Sequence, residues 1–171
     1  SLYGDYDNSM QGGEGDDSLS GWEGNTMHGG DGDDAIDGFG DNSMYGDGGN
    51  DTLTASEGSN VLDGGSGDDS LVGGIGDDSL YGDSGYDLLS GGAGNDYLMD
   101  WDGINTMDGG EGDDHVVSFG GNSSLTGGEG DDTLEGWEGN NTMEGGAGND
   151  TLDDMSGFNT MDGGEGDDLL N

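Results

Sequence analysis

Apolar residues recur along this chain at intervals of eight or nine. With Ser1-Leu2-Tyr3 set aside, the sequence divides into nineteen units, three of eight residues and sixteen of nine. Each unit closes on a triplet with an apolar centre. The centres are Met10, Leu19, Met27, Ile36, Met44, Leu53, Leu62, Leu71, Leu80 and Leu89, then Leu98, Met107, Val116, Leu125, Leu134, Met143, Leu152, Met161 and Leu170. Their neighbours are mostly Ser, Thr, Asp or Glu. Side chains of a strand alternate between two faces, so such a triplet points one apolar group inward and two polar groups outward. The rest of each unit is glycine-rich, as in GGEGDDSLS over residues 12–20. Glycine at that density costs a helix about 1 kcal/mol per residue relative to Ala, whereas turns use it. The pattern therefore predicts an all-β chain in which two units make one coil of 17–18 residues. About nine coils would stack into a right-handed parallel β-solenoid with two short-strand sheets, roughly 45 Å long at ~4.8 Å per coil.

Composition changes what must hold that solenoid together. The 171 residues include 44 Gly and only 26% apolar residues, and 41 Asp and Glu face no Lys or Arg, for a formal charge of −41. By charge and hydropathy alone such a chain is disordered. Cations from outside are needed before it compacts. A chain without basic side chains is unsuited to nucleic acid and is repelled by anionic membranes. It has no Lys for Schiff-base chemistry and no Cys for disulfides or thiolate sites. No apolar run approaches the ~18 residues of a membrane span, and no basic, apolar leader opens the sequence. A start at Ser1 without an initiator Met is expected of a piece of a longer chain.

The units are of two kinds. Eleven carry Asp two places before the apolar centre: Asp17, Asp34, Asp51, Asp69, Asp78, Asp87, Asp96, Asp114, Asp132, Asp150 and Asp168. The other eight carry Asn8, Asn25, Asn42, Asn60, Asn105, Asn141 and Asn159 there, with Ser123 in the remaining unit. Several of the latter also place a bulky group second: Trp22, Phe39, Trp101, Phe119, Trp137 and Met155.

The motif GGxGxDxUx, matched in full by Gly12, Gly13, Gly15, Asp17 and Leu19 and again by Gly109, Gly110, Gly112, Asp114 and Val116, resembles the nonapeptide of the RTX family of secreted calcium-binding repeats. The resemblance spans essentially the whole chain. It implies a parallel β-roll with Ca²⁺ in the turns between successive coils, held by motif aspartates and by glycine carbonyls. On this chain those carbonyls would come from Gly13, Gly15, Gly30, Gly32, Gly49, Gly65, Gly67, Gly74, Gly76, Gly85, Gly92 and Gly94, and then from Gly110, Gly112, Gly128, Gly130, Gly146, Gly148, Gly164 and Gly166. The donor chemistry agrees with calcium on its own terms. Ca²⁺ takes six to eight oxygens in flexible geometry, Zn²⁺ wants His or Cys, and Mg²⁺ demands a tighter octahedron.

Alternate units share an edge of the solenoid, so one ion between coils needs two Asp-type units two apart. The first edge then has four inter-coil sites along Asp17, Asp34, Asp51, Asp69 and Asp87. The second has five along Asp78, Asp96, Asp114, Asp132, Asp150 and Asp168. Nine internal ions are expected, on one edge over 1–63, on both over 64–99 and on the opposite edge over 100–171. Nine divalent ions would reduce −41 to −23, leaving Asp16, Asp33, Asp68, Asp113 and their like solvated. The Asn-type edge should be metal-free, with an amide ladder between coils and with the aromatics Trp22, Phe39, Trp101, Phe119 and Trp137 stacked where no ion closes the turn.

His28 and His115 fall at different places in their units and are expected outward, with no third partner in register. Paired carboxylates occur everywhere, so none marks a catalytic cleft, and no helix follows the GxG fragments as a nucleotide loop requires. A non-enzymatic module is expected: a secreted or cell-surface, calcium-folded scaffold, exported as the family implies by a type I system. The alternatives are a self-assembling filament subunit with copies end to end or laterally, and an ice- or mineral-binding surface. The last would use the column Ser18, Ala35, Thr52, Ser70, Leu88, Thr106, Ser124, Thr142 and Thr160.

Overall fold

The computed structural model describes all residues from Ser1 to Asn171 as twenty-one strands joined by bends and turns. Every strand pairing is parallel, and strands alternate between two sheets along the chain. One sheet of ten strands runs from Leu2–Tyr6 to Thr160–Glu165. The other, of eleven, runs from Ser9–Glu14 to Leu169–Leu170, with the short Asp102–Gly103 pairing beside its main path. This is a β-solenoid of about nine coils, as the unit spacing predicts. No helix is long and apolar enough to cross a membrane.

Register follows the unit lengths. Leu19 pairs with Ile36 and Met27 with Met44, seventeen residues on, where the eight-residue units lie. From Met44↔Leu62 onward the step is eighteen. Apolar centres thus stack on apolar centres: Leu62, Leu80, Leu98, Val116, Leu134 and Leu152 form one inward row. All but the last two of the nineteen are buried. Met161 packs half-buried against the core, and Leu170 stays exposed because no coil lies above it. The outer column from Ser18 to Thr160 also forms one row, through pairings such as Thr106↔Ser124 and Thr142↔Thr160.

The strands are longer than the expected triplets. Most have four to six residues, as in Ser18–Glu23 and Thr52–Ala55. Period-two alternation continues past the apolar centre, so the first glycine of the next unit also faces inward. It has to be small there, as the metal centre makes plain. At the second and fourth places the glycines twist the other way: Gly13 has φ +117° and Gly112 φ +125°, values that other residues rarely adopt.

Candidate metal centre

The column residue of each unit sits between the bend and the strand that follows. There its Oδ1 accepts a hydrogen bond from the backbone N–H of its counterpart one coil earlier. Along the first edge Asp17 N–H donates to Asp34 (2.7 Å), Asp34 to Asp51 (2.8 Å), Asp51 to Asp69 (2.7 Å) and Asp69 to Asp87 (2.8 Å). The line continues unbroken through Asn105 (2.8 Å) to Ser123 (3.2 Å), Asn141 (2.9 Å) and Asn159 (2.8 Å). On the second edge it runs from Asn8 through Asn25, Asn42 and Asn60 into Asp78. From Asp78 it passes through Asp96, Asp114, Asp132 and Asp150 to Asp168. Each edge is one column whose residue type changes near the middle of the molecule, in opposite senses on the two edges.

Asp and Asn make the same Oδ1 bond and differ in the other terminal atom. The amide nitrogen of Asn supplies donors to turn carbonyls. Asn42 Nδ2 reaches Trp22 O (2.9 Å), Phe39 O (3.0 Å) and Gly40 O (3.0 Å), and Asn60 Nδ2 reaches Glu57 O and Gly58 O (3.1 Å each). Aspartate has no such donor. Oδ2 of Asp34, Asp51, Asp69, Asp78, Asp87, Asp96, Asp114, Asp132 and Asp150 is buried with no hydrogen-bond partner. Asp17 and Asp168, in the end coils, are more exposed.

Most of these orphaned oxygens face a cradle of backbone. A Cβ added to Gly73 would lie 2.6 Å from both Asp78 Oδ2 and the Gly91 carbonyl oxygen of the next coil. A Cβ on Gly12 would lie 2.8 Å from Asp17 Oδ2 and 2.5 Å from Gly29 O. The same meeting of carboxylate and carbonyl recurs at Gly29, Gly46, Gly91, Gly109, Gly127 and Gly145. Only glycine leaves this space open. The carbonyls at these cradles belong to the first glycine of a unit, and the second and fourth glycines lie in the bend beside them. Those latter glycines, from Gly13 to Gly166, shape the bend with positive φ throughout.

Burial raises these carboxyls. Asp51, Asp96 and Asp132 are pushed up to about 6, Asp69 and Asp114 to about 7, with desolvation the largest cause and neighbouring aspartates adding to it. Carboxylates one strand spacing apart repel by about 3 kcal/mol at an effective dielectric constant of 20. Nowhere do three His, Asp or Glu side chains converge. The donors gathered at each cradle are carboxylate and backbone oxygens. An oxygen-only, flexible donor set with orphaned negative charge fits Ca²⁺.

The doublets Asp16-Asp17 and Asp33-Asp34 hide a second ladder. Asp33 Oδ1 accepts from Asn50 N–H (2.8 Å), Asp68 Oδ1 from Tyr86 N–H (2.9 Å) and Asp113 Oδ1 from Asp131 N–H (2.9 Å). These residues are exposed, as expected, yet they are also backbone caps that bond to the following coil rather than the preceding one. The repeated acid doublet was the available signal for it.

Both histidines are half-exposed at the outer surface, and each meets an aromatic ring and a carboxylate. His28 stacks on Tyr45 with ring centroids 4.5 Å apart, and its Nδ1 lies 3.2 Å from Asp47 Oδ2. His115 meets Tyr97 edge-on, and its Nε2 lies 3.2 Å from Glu135 Oε1. Stacking of coils brings these partners together from nineteen or twenty residues away. On the Asn-type edges Trp22 stacks on Phe39 (5.1 Å), and Phe119 lies between Trp101 (4.4 Å) and Trp137 (5.6 Å). All five rings stay partly exposed, an outer stack rather than a seal over the core.

One acidic residue outside the motif lies against this column. Asp100 stands where most units have their first glycine, is fully buried, and is pushed up to about 8 by burial and by Asp87 beside it. The nonapeptide motif does not mark this position. Its signal was a charge in place of glycine.

Parallel coils whose turns bury unmatched carboxylates against backbone carbonyls define a cation-binding β-roll. The chain belongs to the RTX calcium-binding nonapeptide repeat family, whose profile matches overlapping segments from residues 3–25 through 72–99 and 90–118 to 144–171. No curated protein matches it.

Proposed function

We propose that this chain is a secreted or cell-surface scaffold domain that is unfolded at cytosolic calcium and folds on millimolar Ca²⁺ outside the cell. One observation carries the reading: nine buried motif aspartates lack a partner for Oδ2, while Asn at the equivalent places brings its own donor. Sites assembled from two coils do not exist in the unfolded chain, so their binding free energy is folding free energy. The expected ion positions are nine: four between successive coils from Asp17 to Asp87 and five from Asp78 to Asp168. Far-ultraviolet circular dichroism of the chain in millimolar calcium, then in excess chelator, tests it. Loss of the strand signal on chelation is expected, and a spectrum unchanged by the chelator would overturn the reading.

A further inference from the structure

The first-edge aspartates stop at Asp87, and the next coil offers Asn105 in the column. Asn105 Oδ1 takes the Asp87 N–H (2.8 Å) as any column residue does. Asp87 Oδ2 nevertheless remains buried and unpartnered, as if one more ion followed. Opposite it the chain places Asp100 instead of a glycine. Asp100 Oδ1 is occupied, accepting from Asn105 Nδ2 (2.5 Å) and Asp102 N–H (3.1 Å). Its Oδ2 has no partner and no exposure. A Cβ added to Gly82 would lie 2.8 Å from Asp87 Oδ2 and would run into Asp100 Oδ2, so both orphaned oxygens face one spot.

The competing role for Asp100 is that of a hydrogen-bonding prop for the Asn column. Two residues at the same unit position show what such a prop looks like. Asp154 Oδ2 accepts from Asn141 Nδ2 (2.9 Å), and Ser118 Oγ bonds Ser123 Oγ (3.0 Å) and Gly120 O (3.2 Å). Both spend their side chains on the column. Asp100 spends one oxygen and aims the other at a second buried carboxylate.

We propose that Asp87 and Asp100 together hold a further calcium ion, a tenth internal position that ends the first-edge column. This rests on the calcium reading of the columns. Two carboxylates across one cradle replace the carboxylate-plus-carbonyl pair found at Gly73 or Gly12, so with both ionised the site carries one more negative charge than those cradles. A divalent, oxygen-seeking ion of loose geometry answers both oxygens.

Native mass spectrometry in millimolar calcium tests this with wild type, Asp100→Asn and Asp154→Asn. Asp100→Asn should carry one ion fewer than wild type, and Asp154→Asn the wild-type number. Equal counts for Asp100→Asn and wild type, or the same loss in Asp154→Asn, would overturn the proposal. Should Asp100→Asn fail to fold, anomalous scattering from wild-type crystals grown with calcium decides. An ion between Asp87 and Asp100 supports it, and ions at Asp69 and Asp96 with none there overturn it. A wild-type chain that binds no calcium at all refutes the column reading itself.

Discussion

Asp and Asn differ at the column position by a single group, NH₂ against O⁻, and that group decides how a turn is closed. Asn closes its own turn by donating to carbonyls such as Phe39 O and Gly40 O. Asp presents a second acceptor to carbonyls that are themselves acceptors, an arrangement that a bound cation, or a proton on the carboxyl, resolves. The first glycine of the unit keeps the space open. Gly91 has no left-handed φ to forbid a side chain, but an added Cβ would collide with Asp96 Oδ2 and sit 2.6 Å from Gly109 O. Gly91→Ala is thus a steric probe of one cradle. Overpacking of about 1–3 kcal/mol weakens calcium binding there by roughly fivefold to 150-fold. Isothermal titration calorimetry should show one site class lost or weakened against wild type, and an unchanged isotherm would contradict the placement of the ion.

At the scale of the element, a strand and its flanking bend form one unit of work. The strand Leu88–Ala93 places Leu89 and Gly91 inward, while the bends before it and after it place Asp87 and Asp96 on opposite edges. A column of such bends stacks like charges, and burial raises Asp51, Asp96 and Asp132 to about 6 and Asp69 and Asp114 to about 7. In the unfolded chain the same groups titrate near ~3.9. Raised values in the fold mean that protonation stabilises the metal-free coil. That stability is full below about pH 4 and is lost as pH rises through about 6 to 7. With calcium the direction reverses, because protons displace the ions. Calcium-free protein should therefore gain strand signal between pH 7.5 and 4.5, whereas calcium-loaded protein should weaken its hold on the ions over the same interval. Circular dichroism on the calcium-free sample reads the first trend, and a signal flat or falling toward pH 4.5 would refute it.

The whole molecule is a one-dimensional stack in which each coil touches only its neighbours. Its core is a double row of single apolar residues, too thin to outweigh a formal charge of −41. Every proposed ion bridges two coils, so binding one orders half of the next site. Folding against calcium concentration is expected to be steep, with a Hill coefficient well above 1, when followed by Trp fluorescence from Trp22, Trp101 and Trp137. These residues lie along the aromatic edges of both halves. A hyperbolic, site-by-site titration would show that coils fold independently.

Most of the fold was legible in the residues because a solenoid is a local structure repeated. The spacing of nineteen apolar centres set the number of strands facing inward, and three eight-residue units set where the coil step is seventeen instead of eighteen. Alternation of edges followed from parity, so the change from Asp to Asn along each column could be read before any coordinate. What the sequence did not contain is what meets across a coil. The partners of His28 and His115, the outward ladder of Asp33 and Asp68, and the first-glycine carbonyls at each cradle lie about one coil away in sequence and in contact in space. Asp100 shows the division most clearly. As a letter it is a lapse from glycine; only the stacking of residues 82–105 brings its free oxygen to Asp87. Periodicity determines the lattice, because hydrophobic burial and strand alternation act within a few residues. Tertiary structure decides the chemistry, because ligand sets are assembled between coils.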